Sequence, residues 1–182
     1  MYKLSIMVES FVKLGTVLEF LVKYVLVVIL IEENQLKPRK LKMKILGIGN
    51  AIVDVICKVE DNFITKNNLT KGLMKLIFDE KEFKQLLENL KIEKTISGGS
   101  VANSIVGLSQ LGNSVGFIGK ISDDDFGAKY EEGLKKEKVN FFYSKKKEPL
   151  PTGTCLILVT PDSERTMCTY LGTAGKINEK DL

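Results

Sequence analysis

The sequence has no histidine and no tryptophan. Without histidine, Ser-His-Asp and Cys-His catalysis are excluded, as is every metal site that needs an imidazole. Cysteine is scarce. Cys57, Cys155 and Cys168 lie far apart in apolar runs. They read as buried free thiols of a cytoplasmic protein, not as disulfides or a zinc site. Excess charge is small: 27 basic and 23 acidic residues leave a net charge of +4. The basic run at residues 145–147 is short and no aromatics interleave with basic residues, so nucleic-acid binding is not expected. Long apolar runs are missing too. The uninterrupted run at residues 24–31 has eight residues, against the roughly 20 that a membrane-spanning helix needs. Glu9 and Glu19 fall where a signal peptide needs a basic and then an apolar region.

Two phosphate motifs also fail. A dinucleotide fingerprint starting at Gly47 needs a glycine where Ile52 stands. A P-loop built around Gly119 and Lys120 needs a glycine where Ser114 stands and a hydroxyl residue where Ile121 stands.

What is present is enough apolar sequence for one domain, 44% of 182 residues. Residues 1–42 break their apolar stretch with Lys13, Glu19 and Lys23. They read as an extension, either an added amphipathic helix or a start assigned too far upstream, with no evident place in a sheet. A different pattern opens at Met43. MKILGIGN is a buried strand closed by glycines. AIVDVICKV alternates, with Ile52, Asp54, Ile56 and Lys58 on one face. DEKEFKQLLENL is an amphipathic helix carrying Phe83, Leu86, Leu87 and Leu90, with Asp79 and Glu82 at capping-box spacing. Ser100 is the expected N-cap of a second helix that stops at Gly112. SVGFIGKI is a strand, residues 125–136 a helix, and VNFFYS a strand. TGTCLILVT and RTMCTYLGT are β-rich runs joined by the turn PDSE. Alternating strands and helices predict a layered α/β fold, with a small extra sheet beside it.

The stretch ISGGSVANSIVGLSQLG is either a plain strand-to-helix turn or a ligand site. Gly98-Gly99 permits close backbone approach. A helix start at Ser100 offers free N–H groups to oxygen-rich ligands, and Asn103 offers both a donor and an acceptor. Asp54, on an otherwise apolar strand, suits a pair of hydroxyls, or is simply the polar face of that strand.

GIGNAIVDV, SGGSVANSIVGLSQLG, VGFIGKISDDDFG and LPTGTCLILVTPDSERTMCTYLGTA, in that order, resemble the amino-terminal signature of the PfkB (ribokinase-like) carbohydrate kinases. The last stretch is similar to the adenosine kinase-like branch. The resemblance runs from Met43 to Leu182. It implies a three-layer α/β/α fold with a small β lid, and transfer of the ATP γ-phosphoryl group to a primary hydroxyl of a sugar or nucleoside. It implies that Asn50, Asp54, Gly98, Gly99, Ser100 and Asn103 form the substrate side. ATP and Mg²⁺ would serve the complete family member. The family's D-T-x-G-A-G-D and N-x-x-E motifs have no match here, so no catalytic or metal-binding residue is assigned. The chain is therefore expected to be a kinase truncated at its carboxyl end, or alternatively a non-catalytic binding module or half of a split kinase that pairs with a separate carboxyl-terminal part. No membrane partner is expected. Ser122 stands where the family usually has glycine, before Asp123-Asp124.

Overall fold

In the computed structural model, residues 26–30, 44–144 and 146–181 are described. They form two sheets. In the first, β1 (Leu26–Leu30), β2 (Lys44–Ile48), β6 (Ser114–Ile118) and β7 (Asn140–Phe141) lie in the order β1-β2-β6-β7. β2, β6 and β7 run parallel, and β1 is antiparallel to β2. The second has β3 (Ile52–Lys58), β4 (Met74–Ile77), β5 (Ile92–Gly98), β8 (Gly153–Val159) and β9 (Arg165–Tyr170). Their order is β4-β9-β8-β3-β5. Here parallel and antiparallel pairs mix, and β8–β9 is the expected hairpin. The α-helices among the described residues are α1 (Asp61–Lys66), α2 (Glu80–Glu88), α3 (Ser100–Gln110) and α4 (Asp125–Lys136), and two 3₁₀ turns, Gly172–Lys176 and Glu179–Asp181, follow β9.

The strands form where the pattern demands. In β3, Val53, Val55 and Cys57 are buried while Asp54 and Ile56 are half-buried and Lys58 is exposed, the period-two pattern read from sequence. α2 buries Phe83 and Leu86, with Leu87 and Leu90 packed beside them. Phe83 stacks on Tyr170 at 5.2 Å. α4 lies against β3, β5 and β7. Its Tyr130 meets Phe117 of β6 and Phe141 of β7, so an aromatic cluster fixes the helix to the first sheet while its contacts with β3 and β5 fix it to the second.

Several expectations are corrected. Among the described residues the extra sheet has five strands and the other four. Five residues of the leading segment, expected to stand outside any sheet, pair with β2 from Leu26↔Ile48 to Leu30↔Lys44. An apolar, β-branched run satisfies the backbone groups on that side of β2. The rest of residues 1–42 lies outside the described residues. β7 contains only two residues of VNFFYS, and α1, β4 and β5 were not anticipated. The capping box is half formed. Asp79 accepts from the Lys81 amide, but Glu82 is drawn to Lys75 at 2.7 Å.

The helix ends follow from specific residues. α3 closes with Gly112 at φ +86°, its amide donating to Ser109 O while that of Asn113 donates to Leu108 O. This pair of bonds satisfies carbonyls the helix leaves open. α4 starts at Asp124, whose carboxylate accepts from the Gly127 amide and from both the amide and the hydroxyl of Thr152, at 2.7–2.8 Å. The acidic turn after Ser122 is thus a structural node holding the start of β8.

Candidate functional site

The two sheets join through Gly49, Asn50 and Ala51, between β2 and β3. Antiparallel pairing of β3 with β5 brings Ile52 opposite Gly98, so the Gly98-Gly99 turn returns beside Asn50. Gly99 has φ +96°, and a Cβ there would sit 2.6 Å from Asn50 O. Only glycine fits this crossing. Gly99 is also the N-cap of α3, and this corrects the assignment of Ser100. A residue in the left-handed region cannot continue the helix, so Ser100 becomes the first helical residue. Asn103 moves one position further in, its amide donating to Gly99 O at 2.9 Å.

These elements enclose a cavity of about 320 Å³ lined by Asn50, Ile52, Asp54, Gly99, Ser100, Val101, Asn103, Cys155 and Thr169. Five of the six residues named from sequence line it. The sixth, Gly98, stands behind it, and any side chain there would collide with the Asp54 carboxylate. Cys155 and Thr169 were missed. Both lie in one cross-strand row, Asp54↔Cys155↔Thr169, over β3, β8 and β9. Residues directly opposite in neighbouring strands share a face. Spacing along the chain carries no information on the register of β3 against β8. The hairpin alone would have paired Cys155 with Thr169.

The polar groups of the cavity are mostly unspent. Among the described residues, none donates a hydrogen bond to the Asp54 carboxylate, and the side chains of Asn50 and Asn103 have no partner. The first-turn N–H groups of α3 have no intrahelical acceptor. Burial pushes the Asp54 carboxyl up to about 6. Burial also pushes the Cys155 thiol up to about 11, and it accepts a hydrogen bond from the Thr169 hydroxyl at 3.2 Å. The thiol therefore stays protonated and is a wall rather than a nucleophile. Carboxylate, amides and helix start together suit a compact ligand bearing several hydroxyls.

A family description, pfkB family carbohydrate kinase, matches residues 65–182. The chain belongs to the pfkB carbohydrate kinase family. A 5-dehydro-2-deoxygluconokinase of Mesomycoplasma hyopneumoniae (strain 232) is 33% identical over 99 residues, covering 54% of this chain and 29% of the relative. An adenosine kinase of Arabidopsis thaliana is 28% identical over 136 residues, covering 72% of this chain and 39% of the relative. The solved adenosine kinase from Sinorhizobium meliloti superposes with a TM-score of 0.67 at 35% identity, over 75% of this chain and 42% of that one. The pfkB-family chain thus spans well under half the length of these relatives. Its fold is the ribokinase-like α/β fold expected from the signature. No helix among the described residues is long and apolar enough to cross a membrane.

Residues fit for Mg²⁺ or nucleotide phosphates are a separate matter. Among the described residues, no group of three or more His, Cys, Asp or Glu side chains is placed to hold a metal ion. The side-chain set in the cavity is one carboxylate, two amides, two hydroxyls and a thiol, which suits a ligand's hydroxyls rather than Mg²⁺. No step through either group follows from these residues.

Proposed function

We propose that this chain supplies the acceptor-substrate side of an ATP-dependent kinase acting on a hydroxyl of a sugar or nucleoside. The observation that carries this is the convergence of Asp54, Asn50, Asn103 and the start of α3 on one cavity, their polar groups without partners among the described residues. Asp54, an acceptor only when ionised, takes two neighbouring hydroxyls of the ligand. Asn103 and Asn50 each give an N–H and a carbonyl to further hydroxyls. Ser100 and Val101, in the first turn of α3, turn backbone N–H groups toward ligand oxygens. Gly98 and Gly99 keep side chains out of the space next to Asp54. The row Asp54, Cys155 and Thr169 forms one wall, and a lid role for the five-stranded sheet would exclude water that competes for a phosphoryl group. The relatives' names, a deoxygluconokinase and adenosine kinases, support an acceptor that is a sugar or nucleoside. ATP as donor follows from family membership and is served by residues other than those named here.

Calorimetric titration of the 182-residue chain with adenosine, ribose and fructose tests this. Saturable binding of at least one is expected, and it should weaken strongly in Asp54→Ala and in Asn103→Ala. A folded chain that binds none of the three would overturn the proposal.

A further inference from the structure

Tyr130 is the largest fully buried side chain among the described residues, and its ring packs between Phe117 and Phe141. A phenylalanine would serve that packing equally well. The hydroxyl therefore needs its own account, because a buried Tyr O–H is costly without an acceptor. Its acceptor is the carbonyl of Gly98, at 3.4 Å. That carbonyl belongs to the residue that leaves room for the Asp54 carboxylate. It precedes Gly99, whose left-handed backbone starts α3.

A second contact presses on the same place. Gly133, one turn further along α4, faces Ser97, where an added Cβ would come within 2.5 Å of Ser97 Oγ. Tyr130 and Gly133 thus let α4 lie directly on the Ser97-Gly98 backbone. At its other end, α4 is fastened through Asp124 to Thr152, at the entry of β8. β8 then carries Cys155 into the cavity wall opposite Asp54. One helix therefore holds both strands that flank β3.

We infer that Tyr130 is a positioning residue for the cavity: its hydroxyl holds the Gly98 carbonyl, and through it the glycine backbone between Asp54 and α3. The hydrogen bond is longer than the usual O–H···O distance of about 2.7–2.8 Å. It is thus a weak tie, one that a ligand drawn against Gly98-Gly99 can tighten. The consequence for ligand affinity rests on the binding function proposed above. The tie itself does not, and can be tested without a ligand.

The variant is Tyr130→Phe in the full 182-residue chain, which keeps the ring and removes one oxygen. Tyr170→Phe is the control, since Tyr170 is also buried but stacks on Phe83 away from this cavity. Amide hydrogen exchange in the ligand-free chain should speed up at Gly98 and at Asn103, whose amide is bonded to Gly99 O, by about twofold to threefold, the low end for one hydrogen bond. The amides of β6 and β8 should keep their rates. Gly133→Ala, which pushes α4 off Ser97, should speed exchange at the same two amides. With adenosine or ribose as probe, Tyr130→Phe should weaken binding by a similar factor while Tyr170→Phe leaves it unchanged. Unchanged exchange at Gly98 and Asn103, or a rise spread evenly over the core, would overturn the inference. Local acceleration in a chain that binds no probe would keep the inference and sink the proposed function.

Discussion

The two sheets contrast in how they are built and what they offer. The first has short strands, mostly parallel, rich in apolar residues on β2 and β6. Their buried face, with Ile45, Val115 and Phe117, packs into the core and carries little chemistry of its own. Their contribution lies at the carboxyl end of β2, in Gly49 and Asn50. The second has strands of up to seven residues, of which β3 and β9 alternate inward and outward. Alternation leaves one face free for Asp54, Cys155 and Thr169. A scaffold sheet and a site sheet meet at one crossing, and the ligand groups cluster where they meet. Placing a carboxylate there without a donor costs stability. That cost is what makes it available to a ligand.

Turnover would overturn this contrast most decisively. Both sheets present acceptor-side groups, and the sequence has no match to the D-T-x-G-A-G-D motif that, by the family resemblance, carries the catalytic Asp and the glycine anion hole. The 182-residue chain with ATP, Mg²⁺ and adenosine or ribose should therefore show no phosphorylated product. A rate on the order of 10 s⁻¹, ordinary for an enzyme, would mean that the chain holds catalytic groups not recognised above.

Next in size are the ligand groups from the two sides of the crossing. Asp54→Ala on the site sheet and Asn103→Ala on α3 should each weaken sugar or nucleoside binding by about 1–3 kcal/mol, roughly 5- to 150-fold in Kd. Equal affinity in both mutants, measured by calorimetry, would leave only the polar-face and plain-turn readings.

The pH dependence is smaller and its sign is fixed. Burial raises Asp54 from 3.8 to about 6. If the ionised form accepts the hydroxyls, affinity at pH 5 should be about tenfold weaker than at pH 7. A flat profile would remove Asp54 from the binding groups. The same shift governs stability in the opposite sense. Between about pH 4 and pH 6 the folded state holds the proton more tightly than the unfolded chain, so this group's contribution is present below about pH 4 and lost by about pH 6. Asp54→Asn should thus raise the thermal midpoint at pH 7 by a few degrees, and the difference should vanish at pH 4. A lowered midpoint at pH 7 would show that the carboxylate supports the fold instead.

The smallest effect tests the scaffold side. A chain starting at Met43 lacks β1. With β1 paired along β2 it should lose at least about 2–4 °C in midpoint, the shift that about 1 kcal/mol makes at this length. An unchanged midpoint would favour the view of residues 1–42 as an added upstream stretch.

Much of this is legible in the sequence. The alternation of AIVDVICKV sets the inner face of β3, and the amphipathic run from Asp79 sets α2 and its cap. Gly112 marks the end of α3, and Asp125 to Lys136 is a helix with those bounds. Asn50, Asp54, Gly99, Ser100 and Asn103 can be named from sequence, and all five line the cavity. The helix start is misplaced by one residue, because the preference of serine for the N-cap is a local rule. The left-handed backbone of Gly99 is imposed by the chain crossing at Asn50. Glu82 leaves its capping role because Lys75, on β4, lies within reach.

Residue type and spacing alone account for the period of β3 and of the amphipathic helices, the exclusion of imidazole chemistry and the order of the family signature. Folding in three dimensions settled which strands became neighbours, and therefore that Cys155 and Thr169 face Asp54 and that Tyr130 reaches Gly98. It also set the Asp54 carboxyl at about 6. Register and burial are properties of chain segments brought together from far apart, and no local pattern encodes how far a carboxylate will be taken from water.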